Sequence, residues 1–228
     1  MLLRWFSPIF LLVLPSAPTV RTIVRGIESR YQHAKTLKAT FFEAYREGGG
    51  RRTAESGTVY FSRPGRMRWE YESPEKKLFL VDGTNAWFYI PADRTASRAK
   101  VKESSDWRTP VALLAGKADL NELCRDIQLV EPATAKSAEE KPLAPGDYVL
   151  HCDPRDAGSN SDLRSILLEV NTQDYLVRVI IHETGDVETE FRFGNWEENI
   201  PIAEAQFHFQ PPSGVSVVDE GALSDDVH

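Results

Sequence analysis

Few residues of this 228-residue chain have the types and spacing that catalysis needs. His151-Cys152-Asp153 places an imidazole, a thiol and a carboxylate side by side, the inventory of a thiol nucleophile. The segment reads as a strand, however, and strand neighbours point to opposite faces, so His151 and Cys152 do not meet. The five histidines, at 33, 151, 182, 208 and 228, share no metal-type spacing, and the two cysteines form no Cys-x-x-Cys. There is no Gly-x-Ser-x-Gly elbow, no His-Glu-x-x-His and no glycine-rich phosphate loop. These residues imply no metal, no cofactor and no enzyme.

The aromatic residues are more informative. Eleven of the 23 lie between Phe41 and Tyr89, so the first half of the chain carries a concentrated apolar surface. Several fall on alternate positions of successive strand patterns, Phe61, then Trp69 and Tyr71, then Trp87 and Tyr89, and the apolar Val59 and Met67 alternate in step with them. Such a stripe is most simply a core under a helix. Here one opening helix and one two-turn helix must cover a sheet of some ten strands. A sheet of that size closes, stacks or encloses something, and the chemistry of this stripe fits an apolar ligand.

The elements that position the stripe follow from periodicity. Met1–Arg4, an apolar run to Leu14 and the small residues of Pro15-Ser16-Ala17 read as a cleaved export signal over 1–17. About ten apolar residues are too few to span a bilayer as a helix. The remaining 18–228 reads as one domain. Val20, Ile23, Val24, Ile27, Tyr31 and Ala34 recur at helical intervals; from Leu37 onward the period becomes two. Gly48-Gly49-Gly50, Pro64-Gly65, Pro74 and Asp82-Gly83 separate successive strands into an antiparallel meander. Thr109-Pro110 followed by Val111, Leu113, Leu114 and a stop at Gly116 predicts a short apolar helix. Strand patterns then resume, broken by a polar loop from Pro132 to Pro145.

Charge and compartment narrow the partners. Asp plus Glu exceed Lys plus Arg, 34 to 27, and no dense basic run exists, which excludes nucleic acid as a partner. Export exposes the chain to oxidising conditions, where an even cysteine pair ends as a disulfide. A hairpin centred near residue 138 would bring Cys124 nearly opposite Cys152.

Four blocks carry a family likeness. Arg63-Pro64-Gly65-Arg66-Met67-Arg68-Trp69-Glu70-Tyr71, with Pro74 after it, resembles the central motif of the LolA family, the periplasmic carriers of outer-membrane lipoproteins. Val81 to Tyr89 resembles the next hairpin of that family, Thr109 to Leu114 its lid-helix segment, and Phe207 to Val215 its C-terminal signature. The resemblance implies a mainly β (α+β) fold, an incomplete antiparallel β-barrel in which a curved sheet and a lid of short α-helices enclose an apolar cavity. It implies a monomeric shuttle that takes acylated lipoproteins from an inner-membrane export complex to an outer-membrane acceptor. Arg63 would latch the lid, formed by Pro110, Val111, Leu113 and Leu114. Met67 stands where an aromatic is common in the family. The alternatives on the same fold are a periplasmic lipid-binding regulator and a carrier of another lipid.

Overall fold

The computed structural model describes residues 18–50, 52–101, 119–155 and 162–219. The expected signal over 1–17 and the lid residues Pro110, Val111, Leu113 and Leu114 lie outside the described residues. Helix α1 spans Val20–His33, where apolar residues at three- and four-residue spacing bury Ile23, Val24, Ile27 and Tyr31. The Thr19 hydroxyl caps its start, accepting from the Thr22 amide at 3.3 Å.

Six strands follow: β1 (Thr36–Glu47), β2 (Thr53–Ser62), β3 (Arg66–Ser73), β4 (Lys77–Val81), β5 (Asn85–Ile90) and β6 (Thr95–Lys100). After the one-turn helix α2 (Leu120–Leu123) come β7 (Cys124–Val130), β8 (Tyr148–Pro154), β9 (Leu163–Val170), β10 (Leu176–Glu183) and β11 (Val187–Glu198). A 3₁₀ turn at Glu204–Phe207 and a last strand β12 (Ser216–Asp219) follow these.

All twelve strands lie in one sheet, in the order β12-β6-β5-β4-β3-β2-β1-β11-β10-β9-β8-β7. Two meanders are joined where β1 pairs antiparallel with β11, from Leu37↔Glu198 to Glu47↔Val187. The sheet is somewhat larger than the roughly ten strands expected, and the added strand β12 pairs parallel with β6. Strands β12 and β7 are the edges, so the sheet is open, and barrel describes its curvature only. That curvature can be measured across the inner face. Trp69 on β3 and Phe191 on β11 are three strand intervals apart, roughly 14 Å in a flat sheet. Their ring centroids are 5.6 Å apart. The sheet therefore folds this face inward.

The Asp82-Gly83 turn forms the β4–β5 hairpin, with Gly83 at φ +102, a conformation that favours glycine. Gly57 serves differently. It stands in register between Phe41 and Tyr71, and an added Cβ would lie 1.9 Å from the Glu70 carbonyl oxygen. Without a side chain there, the two flanking rings meet across β2 at 5.0 Å.

Both faces of the sheet are partly covered. On the inner face, Tyr31 of α1 accepts from the Leu176 amide at 2.9 Å and packs edge-on against Trp196. Glu28 of α1 accepts from the Leu120 amide at 3.1 Å, which ties α2 to α1. On the outer face, the 131–147 connection covers Val149, Leu167 and Ile180, a small apolar cluster. It is held by Arg178, which is 4% exposed and donates to the carbonyls of Glu139 and Lys141, each at 2.8 Å. The polar loop expected from Pro132 to Pro145 thus serves as a strap.

Cys124 and Cys152 are disulfide-bonded, with Cα atoms 5.5 Å apart. The hairpin register differs from the simple expectation, since Cys152 faces Ile127 and Cys124 faces Pro154 across an irregularity. The bridge runs diagonally over that bulge.

Candidate functional site

Strand register decides which side chains share the concave face. One row across the sheet runs Ala39, Val59, Trp69, Phe79, Phe88. The next runs Leu37, Phe61, Met67, Val81, Ala86, and a third runs Phe193, Phe41, Gly57, Tyr71. Val59, Phe61, Met67 and Trp69 are all buried in one apolar cluster with Phe41, Phe191 and Phe193, and Tyr71 packs against it. Trp69 sits among these rings. Its centroid is 4.7 Å from Phe41, 6.2 Å from Phe61 and 6.1 Å from Phe193, each edge to face.

Trp87 and Tyr89 belong elsewhere, which corrects the expectation that they line the same cavity. Val81 pairs with Ala86 across the β4–β5 hairpin, so Ala86 and Phe88 face inward. Trp87 and Tyr89 therefore face outward, because a one-residue step reverses a strand side chain. They form a separate cluster with Leu78 and Leu80, covered by Phe209 at 5.3 Å from Trp87 and 5.2 Å from Tyr89. The C-terminal segment is held over this outer patch by Arg68, which donates to the Gln206 carbonyl at 3.0 Å. Five inner-face aromatics, Phe41, Phe79, Phe88, Phe191 and Phe193, are missing from the sequence-predicted site. Counting pairs outward from the Asp82-Gly83 turn would have found Phe79. Alternation of Phe191 with Phe193 is the signal for the other strand.

The concave face is graded. Apolar at the Leu37–Phe61 end, it becomes polar where Glu43 pairs in register with Glu55. Tyr71 donates to Glu43 at 2.8 Å, and Lys77 forms an ion pair with Glu55. Burial raises the Glu43 carboxyl above its ordinary range, with the Tyr71 hydrogen bond opposing and the Glu55 charge adding to the rise. Nothing in this group is arranged as a nucleophile with a base.

Arg63 lies in the β2–β3 turn, beside a cis bond to Pro64. Its Nε donates to the Ala34 carbonyl at 2.6 Å, the cap at the C-terminal end of α1. Its own amide donates to the Lys35 carbonyl at 3.1 Å. Burial lowers the Arg63 pKa from its usual value. The guanidinium therefore grips a helix end, as its chemistry suits, but the end of α1.

Two other groups gather polar side chains. Glu139, His182 and Glu188 bring three ligand atoms within 4.8 Å of one another. Arg46 already pairs with Glu188, Ser165 lies 3.0 Å from His182 Nδ1, and His182 Nε2 lies 3.3 Å from the Glu139 carboxylate, so the group also clips the strap to the sheet. A cleft of about 340 Å³ beside α1, lined by Arg30, His33, Asp174 and Glu198 among others, is polar and of mixed charge. Neither lies on the aromatic face. No helix among the described residues is long and apolar enough to cross a membrane.

Fold and site together define a class: open, strongly curved sheets whose concave face is aromatic and partly covered by helix. Residues 32–210 match the family model described as outer membrane lipoprotein carrier protein LolA, and the chain belongs to that family. An outer-membrane lipoprotein carrier protein of Nitrosospira multiformis is 27% identical over 94% of this chain and 97% of its own. A second protein of that name, from Dechloromonas aromatica, is 30% identical over 83% and 84% respectively. In structure, the chain is similar to an uncharacterized conserved protein of Thermus thermophilus, with a TM-score of 0.54 at 13% identity, covering 87% of this chain and 98% of that one. That likeness concerns the fold alone.

Proposed function

We propose that this protein carries lipoproteins, holding their acyl chains against the concave face formed by Val59, Phe61, Met67, Trp69 and Tyr71 with Phe41, Phe191 and Phe193. The observation that carries the reading is the continuous apolar, aromatic-rich lining of that face in a chain that belongs to the LolA family. Burial of a methylene is worth about 0.8 kcal/mol, so a 16-carbon chain contributes roughly 12 kcal/mol before costs. Retained in full, that attraction would prevent release. A carrier therefore needs a competing empty state in which the apolar face covers itself.

Arg63 suits the control of that competition. Its hydrogen bond joins the β2–β3 turn to the end of α1, so separating the helix from the sheet must break it. The segment around Pro110, Val111, Leu113 and Leu114 supplies a further cover in this reading. Residues 1–17 act as the export signal, and the mature monomer works in the periplasm between an inner-membrane export complex and an outer-membrane acceptor. The process needs no chemistry from the carrier itself. The test is a transfer assay from lipoprotein-loaded proteoliposomes bearing the export complex to purified acceptor. Wild-type protein should release acylated lipoprotein in soluble form and hand it on. Arg63→Leu should take up cargo and deliver it poorly. Release of lipoprotein no better than with buffer alone would refute the carrier reading.

A further inference from the structure

Three tryptophans lie among the described residues, and two have acceptors for their indole N–H. Trp196 donates to the Leu176 carbonyl at 3.0 Å, and Trp87 hydrogen-bonds the Asp82 carboxylate. Trp69 differs. It is 3% exposed, and its Nε1 is buried without an acceptor among the described residues. Buried indole N–H groups normally find one, because leaving the donor unpaired forfeits its hydration. The side chains ringing Trp69 are Phe41, Phe61, Phe191 and Phe193, all hydrocarbon. Their π faces are weak acceptors at best. An unpaired donor ringed by hydrocarbon, away from the polar end of the face where Tyr71 already donates to Glu43, fits the pattern by which ligand sites fix orientation: mostly hydrophobic walls with a few placed polar groups.

We propose that the Trp69 indole N–H donates to a carbonyl oxygen of the bound lipid, so that the concave face distinguishes ester- or amide-linked acyl chains from alkyl chains of equal length. This rests on the lipid-carrier reading and adds a chemical selectivity to it. An all-hydrocarbon cavity would measure chain length and bulk alone. One unpaired donor makes the site sensitive to the linkage, since a ligand without a carbonyl leaves the N–H unpaired whereas an acyl ligand satisfies it. The asymmetry resembles that of any site built to hydrogen-bond its ligand: the analogue lacking the partner group is penalised.

The experiment compares two lipids that differ only in linkage, dipalmitoyl-phosphatidylcholine and dihexadecyl-phosphatidylcholine. Each is presented in mixed micelles to displace a fluorescent fatty-acid probe. Wild-type protein should prefer the ester lipid by about fivefold, the order expected of one net hydrogen bond. Trp69→Phe should bring that ratio close to one, whatever its effect on absolute affinity. Because Phe is smaller, a second variant carries benzothienylalanine at position 69, which keeps the shape of indole and replaces N–H by sulfur. It should fold as the wild type does, melt no lower, and show the same loss of preference. An ester-to-ether ratio unchanged by either variant, or absent in the wild type, overturns the proposal while leaving the carrier reading intact. Failure of the wild type to bind either lipid overturns both.

Discussion

The buried ion pair under the strap offers a quantitative test of the outer face. Arg178 Nε lies 2.7 Å from Glu169 Oε2, and the two residues are 4% and 1% exposed. Arg178→Met removes that contact and two charge-assisted hydrogen bonds to strap carbonyls. It also leaves the Glu169 carboxylate buried, still accepting from the Leu143 amide at 2.5 Å. Breaking one side of a buried pair costs about 3–5 kcal/mol, mostly from the charge left behind. Arg178→Met/Glu169→Leu should recover most of this, so a double-mutant cycle should return a coupling of about 2–3 kcal/mol. Burial already raises the Glu169 carboxyl, with the Leu143 amide and the Arg178 charge opposing; removing arginine raises it further. A carboxyl whose folded pKa exceeds its unfolded value takes up a proton on folding. Its contribution is most favourable at low pH and declines as pH rises through the interval between the two values. The deficit of Arg178→Met should therefore be small near pH 4 and widen toward pH 7. Urea unfolding at a series of pH values, read by linear extrapolation, measures it. Additive single effects together with a pH-independent deficit would refute the reasoning.

Other outcomes follow from single observations. Glu43→Gln should stabilise the protein at neutral pH by up to about 1 kcal/mol, since an amide can still accept from Tyr71 without a half-buried charge. Because the Glu43 carboxyl is raised, that gain should fade as pH falls toward the ordinary carboxylate range, which thermal melts at two pH values would detect. Reducing the Cys124–Cys152 bridge, whose ends are 28 residues apart in sequence, should cost about 3–4 kcal/mol in the chain-entropy model. Thiol titration of the denatured, unreduced protein should find none. Gly57→Val must push a side chain into the Glu70 carbonyl and between Phe41 and Tyr71, so it should cost more than about 2 kcal/mol by chemical denaturation. An equal cost for Gly49→Val, whose added Cβ meets nothing within 4 Å, would contradict this.

The order of elements is legible because each carries its own local signal. Helical spacing from Val20 marks α1, and turn residues punctuate β1 to β6 so regularly that the antiparallel meander follows. The pairing of β1 with β11 is not legible, because it joins distant parts of the chain with no local signal. Nor is the parallel addition of β12 at the edge. Within the site, alternation inside a strand is robust, so Val59, Phe61, Met67 and Trp69 emerge correctly as neighbours on one face. Alternation alone also puts Trp87 and Tyr89 on that face. Face identity is carried across a hairpin by the turn, however, and the Val81↔Ala86 pairing reverses it. The disulfide pairing is legible from count and compartment, but the bulge that makes it diagonal is not. Motif singles out Arg63; its contact with Ala34 depends on where α1 ends, which motif spacing does not encode.

The central claim is that acyl chains lie on the concave face, and Trp69 and Trp87 report the two faces of the sheet separately. Two proteins should be made, each retaining one of these tryptophans with the others replaced by phenylalanine, and titrated with a peptide bearing a brominated palmitoyl chain. Bromine quenches indole emission only in contact. The account predicts strong, saturable quenching of Trp69 and little change at Trp87. Quenching of Trp87 alone, or of both equally, would contradict it.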